Sequence, residues 1–263
     1  MAVYLRLAGA NIRGQLQYRA SFALDVTATF AISFLDFLAV LVLFHNVPRL
    51  AGWDVHEVAF LYATSSVAFA LAEIVVGHSE ALSQRLRTGT FDQLLVRPRG
   101  TLFQIVAGDL PLRRLGRAAQ GLVVLAYALT GVEIHWDAGR IAVLVGMVPA
   151  GIVLFGSMWV VGLCVLFWTT EGSEFSNAFT YGGQYMTQYP IDIYSEWLRR
   201  FLAYLVPTAF VSYFPALYVL GKADPLGLPR VFQFSSPVVA LAAAVVAGLA
   251  WQNAVRHYRS AGG

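Results

Sequence analysis

The stretch IAVLVGMVPAGIVLFGSMWVVGLCVLFWTT (Ile141–Thr170) carries no charged side chain. A helix of about 20 apolar residues crosses a hydrocarbon core roughly 30 Å thick. This run alone therefore places the chain in a bilayer. Val231–Val255 and Phe201–Gly221 are equally free of charge. Charged residues make up 13% of the whole chain, against about 25% in soluble domains. The mean hydropathy is +0.63. No polar stretch is long enough to fold as a separate soluble domain, so residues 1–263 read as one all-α polytopic membrane domain.

Six spans are expected, near Phe22–His45, Val58–His78, Leu115–Val132, Ile141–Trp168, Phe175–Pro190 and Phe234–Val255. Residues 1–20 read as an amphipathic interfacial helix. Leu5, Ala8, Ile12 and Leu16 share one face, with Arg6, Arg13 and Gln17 roughly opposite. A plain cytoplasmic extension of the first span is the alternative. No cleavable signal peptide is expected, and the first span would act as an uncleaved anchor. Phe201–Leu220 is long enough to span but contains Pro207 and Pro215. Proline removes a backbone donor and breaks the helical ladder. Within the outer region 191–232 this segment is therefore expected to form a re-entrant hairpin.

Charge sets the orientation. With both termini cytoplasmic, twelve arginines lie inside and six basic residues outside, the bias that topology requires. Trp53, Trp136, Trp168, Trp197 and Trp251 all fall near expected span ends, as interfacial anchors do. A multi-pass protein of the cell inner (cytoplasmic) membrane follows. The net charge of +3 gives no reason to expect a nucleic-acid partner.

Chemistry inside the chain finds little support. Lys222 is the only lysine and no phosphate-binding loop surrounds it. His45, His56, His78, His135 and His257 are scattered, so no metal site is expected. Cys164 is the only cysteine, which excludes an internal disulfide. There is no Gly-x-Ser-x-Gly elbow. Catalytic residues, metals and cofactors are expected to be absent, and a membrane-embedded enzyme is the weakest reading.

The segment 79–100 is the exception in a greasy chain. It contains Gln84-Arg85-Leu86-Arg87-Thr88-Gly89-Thr90-Phe91-Asp92-Gln93-Leu94-Leu95-Val96-Arg97-Pro98-Arg99. Leu82 and Leu86 share a helical face and Gly89 fits a helix terminator. Thr90 followed by Gln93 has the form of a capping box, and Pro98 ends the second helix. Two short cytoplasmic helices at an angle are expected. Phe91, Leu94 and Leu95 would form an apolar knob ringed by Arg87, Asp92, Arg97 and Arg99. Docking of a soluble protein is one reading; an amphipathic loop resting on lipid headgroups is the other.

Thr88–Pro98 resembles the signature after the second span in permeases of the type-2 ABC exporter family, in its short six-span branch. Gln188-Tyr189-Pro190-Ile191-Asp192-Ile193-Tyr194, then Trp197-Leu198-Arg199, Val206-Pro207 and Tyr213-Phe214-Pro215-Ala216, match in the same order. The resemblance implies six spans, an N-terminal interfacial helix, a coupling helix between the second and third spans, and a re-entrant outer hairpin. It also implies two separate ATP-binding subunits, which would carry ATP and Mg²⁺, and a second permease copy or a paralogue. The coupling role falls on Arg87, Gly89, Thr90, Phe91, Asp92, Gln93, Leu94, Leu95 and Arg97. Cargoes in that family range widely.

Polar stripes mark three spans. Thr29, Ser33 and Asp36 lie on one face of the first; Tyr62, Ser66, Phe69 and Glu73 on the second; Asn177, Tyr181, Gln184 and Gln188 on the fifth. Carboxylates inside a membrane face protein or water. Ser33, Asp36, Ser66, Glu73, Asn177, Tyr181, Gln184 and Gln188 are thus candidates for a translocation path. Interhelical hydrogen bonding that only holds the bundle is the competing account. Glu73 sits near enough to the inner end to snorkel. A different class, an ion-gradient-driven secondary transporter or channel, would use Asp36 and Glu73 as proton sites.

Overall fold

The structure, a computed structural model, describes residues 9, 12–15, 17–77, 79–108, 111–169, 173–224 and 227–258. All its regular elements are helical. In order they are α1 (Arg19–Asn46), α2 (Val55–Val76), α3 (Ser79–Arg87), α4 (Asp92–Leu95), α5 (Thr101–Gly108), α6 (Leu115–Gly131), α7 (Ala138–Val165), α8 (Ser173–Thr187), α9 (Glu196–Arg200), α10 (Tyr213–Leu220) and α11 (Ser236–His257). The expected interfacial helix over 3–20 lies in part outside the described residues.

Four helical runs are long and apolar enough to cross a membrane: α1, Val55–Arg87, α7 and α11. A fifth candidate is the pair Glu196–Ala203 and Thr208–Leu220, bent by 69°. The expected third and fifth spans are the 17-residue α6 and the 15-residue α8. Among the described residues, length and composition therefore identify four spans, or five with the bent pair. Two sequence features shorten these helices. A 3₁₀ turn, Leu112–Arg114, precedes α6, and α8 stops just before Pro190. The bend in the pair falls at Val206–Pro207, after a π-helical turn over Phe201–Leu205.

Helix starts follow the local sequence. Asp54 caps α2, accepting from the His56 and Glu57 N–H groups at 2.8 and 2.9 Å, while the Glu57 carboxylate accepts from Asp54 N–H at 2.9 Å. This reciprocal arrangement satisfies amides that have no partner within the helix. Asp137 caps α7 in a similar way, through the Arg140 N–H at 2.9 Å.

Helix α2 is the hub. Of its most apolar window 89% is buried, against 17% for α1. It packs on α6, α7 and α8, and α11 packs on α7. Helix α1 rests mainly on α6. That crossing is tight. A Cβ at Gly116 would stand 2.2 Å from the Val26 carbonyl oxygen and 2.8 Å from the Phe30 nitrogen. Small residues let helices approach closely where the hydrophobic effect cannot drive them together.

The apolar interior divides in two. The main core surrounds α2 and α7. A second, smaller cluster gathers Leu82, Phe91, Leu94, Ile105, Leu163, Trp251 and Ala254 at one end of the molecule. At the opposite end of α2, the Asp192 carboxylate accepts from Trp53 Nε1 at 2.7 Å and from the Tyr213 hydroxyl at 2.9 Å. Arg199 donates to the Asp192 and Tyr194 carbonyls at 2.6 and 2.7 Å. Lys222 pairs with Glu57 at 2.9 Å and lies 4.6 Å from the Trp53 ring centre. Asp192, Arg199 and Tyr213 come from separate matched motifs, and here they tie the bent pair to the α1–α2 loop.

Candidate functional site: a polar crevice and the 79–100 segment

A narrow polar crevice opens between α1, α2, α6 and α8. It is lined by Ser33, Asp36, Tyr62, Ser66, Arg117, Gln184, Tyr185 and Gln188. Five of the eight candidate path residues, Ser33, Asp36, Ser66, Gln184 and Gln188, thus meet in one place. Gln188 Nε2 donates to Ser66 Oγ at 3.4 Å, and the Tyr62 hydroxyl donates to the Ser33 carbonyl at 3.0 Å. Ser33 Oγ is buried without a hydrogen-bond partner. Asp36 is exposed on the surface of the single chain, and its neighbours Ile32 and Leu35 are exposed too.

Glu73 and Tyr181 lie beside this crevice rather than in its lining. Glu73 is fully buried, which corrects the expectation that it snorkels. The two arginines at the start of α6 explain why. Arg114 forms an ion pair with one carboxylate oxygen and Arg117 with the other, the second at 3.3 Å. The Tyr181 hydroxyl donates to Glu73 and accepts from Arg114 at 3.3 Å. Arg117 also stands over the Phe69 and Tyr181 rings, 5.6 and 6.0 Å from their centres. A carboxylate removed from water needs such partners. Asn177 is not among the crevice-lining residues. Sequence reasoning missed Arg114 and Arg117 as site residues, treating them only as topology markers. Their spacing of three, at a helix start, was the available signal.

The 79–100 segment folds as α3, a turn and α4. Gly89 makes the turn with φ of +69°, in the left-handed region that glycine tolerates. Thr90 is not a helix cap. The residue before α4 is Phe91, in helical conformation and without a side-chain cap. The Thr90 hydroxyl instead pairs with that of Thr88 at 2.9 Å. Tight turns cause this: the Phe91 N–H reaches back to Arg85 and that of Asp92 to Gly89.

The expected apolar knob is also different. Phe91 is 0% exposed and Leu94 3%, both turned inward. Phe91 packs edge-on to Phe167 at 5.3 Å and to Tyr258 at 4.8 Å between ring centres. Leu95 at 45% and Val96 at 84% are the apolar side chains that face outward. Arg97 and Arg99 flank them, exposed and without an ion pair among the described residues. Gln104 Nε2 holds the far side, donating to the carbonyls of Leu94 and Arg99 at 2.9 and 2.8 Å.

A family model for ABC-2 family transporter proteins matches residues 30–262. The chain belongs to that family. No curated protein and no solved structure matches it. As an ABC-2 family member it is a multi-pass membrane protein and a permease-type subunit of an ABC transporter, in a family that generally works with ATP-binding subunits. The crevice and the 79–100 segment are therefore features of a permease-type subunit.

Proposed function

We propose that this chain is the membrane-spanning half of an ATP-driven exporter in the inner membrane, forming the path and coupling to separate ATP-binding subunits. Helices α6 and α8 complete six spans, the bent pair is re-entrant from the outer side, and both termini are cytoplasmic. Two ATP-binding subunits, carrying ATP and Mg²⁺, dock on the 79–100 segment. A second copy or a paralogue completes the path.

One observation carries this reading. Polar residues from α1, α2 and α8 converge on a crevice at whose edge Asp36 is exposed on the single chain. A carboxylate facing hydrocarbon is costly, so such a residue meets water or protein. The face bearing Asp36 therefore turns toward a water-filled path and the second permease. The ion-gradient alternative has less support at Glu73, which is buried among its partners.

The coupling surface is the exposed pair Leu95 and Val96 with Arg97, backed from inside by Phe91 and Leu94. Arg87, Gly89, Thr90, Asp92 and Gln93 shape the turn that presents it. The complex purified with its ATP-binding subunit tests this. A Leu95→Ser, Val96→Asp double variant should retain membrane insertion yet lose the subunit and transport. Truncating a hot-spot residue at an interface centre costs ~2 kcal/mol or more. Full recovery of the ATP-binding subunit with that variant would reject the docking assignment.

A further inference from the structure

We infer that Glu73, Arg114, Arg117 and Tyr181 form the inner gate of the path, an ionic latch closing the crevice on the side that carries the coupling segment. This rests on the crevice being the path.

Accessibility comes first. The Glu73 side chain is 0% exposed, while those of Arg114 and Arg117 are 21% and 22% exposed. The cluster thus marks a boundary, with partly exposed arginine side chains in front of a buried carboxylate. Arg117 belongs to both sides of it. It lines the crevice and holds Glu73 at 3.3 Å, so the crevice ends where the ion pair begins.

Connectivity comes second. The latch joins three elements: the last full turn of α2, the start of α6 with the 3₁₀ turn before it, and the middle of α8. Glu73 lies four residues before Gly77, whose N–H donates to the Glu73 carbonyl at 3.0 Å. Beyond Gly77 the chain passes through residue 78 into α3 and the coupling turn. Glu73 thus lies six residues before the start of α3, on the stretch of chain that leads into the coupling segment.

The third point is incomplete satisfaction. Arg114 Nε at the latch and Ser33 Oγ in the crevice lining are buried without hydrogen-bond partners. Native interiors leave few such atoms, and each calls for an explanation. A buried ion pair contributes little net stability, and its better-attested use is to select one arrangement over another. Unsatisfied atoms at the latch and in the crevice beside it fit one arrangement of a two-state element. Separating α6 from α2 and α8 would hydrate them together with the freed charges.

Labelling from a defined side tests the gate. In a Cys164→Ser background, Ser66→Cys places a thiol in the crevice with little change in size. The complete transporter in inside-out vesicles is treated with a membrane-impermeant methanethiosulfonate. With the latch intact the thiol should react slowly. Glu73→Gln should raise the rate at least tenfold, and Tyr181→Phe, which removes only a hydroxyl, should raise it by a smaller factor. Should Glu73→Gln fail to assemble, the Tyr181→Phe rate decides alone: faster labelling supports the gate, and an unchanged rate overturns it. Equal rates in the intact protein and both variants, with labelling from the outer side preserved, overturn the gate and leave the path standing. A thiol inert from both sides in every variant and nucleotide state overturns both.

Discussion

Gly116→Val is expected to force α1 off α6 and leave the protein without a stable fold. The added carbons would meet the Val26 carbonyl oxygen and the Phe30 nitrogen, where even a Cβ stands at 2.2 and 2.8 Å. Both are backbone atoms of a helix and cannot rotate aside. Overpacking of a core costs typically ~1–3 kcal/mol, and more where nothing can yield. The upper end or beyond applies here. Thermal unfolding of the detergent-purified protein should show a large fall in Tm, or no monodisperse protein at all, with Gly116→Ala in between. An unchanged Tm for the valine variant would mean that the two backbones do not cross at this point.

Phe91→Ala should act differently, loosening the coupling segment while the spans stay folded. Phe91 is fully buried, but in the smaller apolar cluster, apart from the main core around α2 and α7. Truncating a buried phenylalanine costs ~3–5 kcal/mol. Here that loss falls on the local opening of residues 79–108, since regions open with separate free energies. Every ~1.4 kcal/mol is tenfold in an equilibrium, so opening should rise by roughly a hundredfold or more. Limited trypsin digestion after Arg87 and Arg99 reads this directly, the Arg97–Pro98 bond being resistant. Cleavage that stays at the original rate would show that Phe91 does not anchor the segment.

The membrane class was legible because it depends on composition alone: nothing can be done with Ile141–Thr170 in water. The path residues were partly legible, since the 3.6-residue period puts Ser33 and Asp36, or Gln184 and Gln188, on one face of their helix. Pairing across helices has no such signature. Arg114 and Arg117 obey the positive-inside rule whether or not Glu73 lies opposite, so a sequence gives them only the weaker role. Phe91 and Leu95 illustrate a different limit. In a four-residue helix no period can develop, and which apolar side chain turns inward depends on Phe167, Trp251 and Tyr258, all distant in sequence. Thr90 had the right spacing for a cap, but the tight turn at Gly89 placed Phe91 there instead. Span counting met a comparable obstacle at α6 and α8, whose lengths are trimmed by a 3₁₀ turn and by Pro190.

The lopsided burial of α1 bears on how the protein is made. This helix precedes α2 and α6 in the chain, yet it touches α2 little and leans on α6, which is synthesised after the whole coupling segment. Helix α1 must therefore sit in the bilayer without its main packing partner, Asp36 included, until α6 is inserted. Its rotational register is fixed late, by the arrival of Gly116 against Val26 and Thr29. A photo-crosslinker at Thr29 should accordingly capture α6 in nascent chains long enough to include Gly131, and capture only lipid or insertion machinery in chains that stop before Leu115.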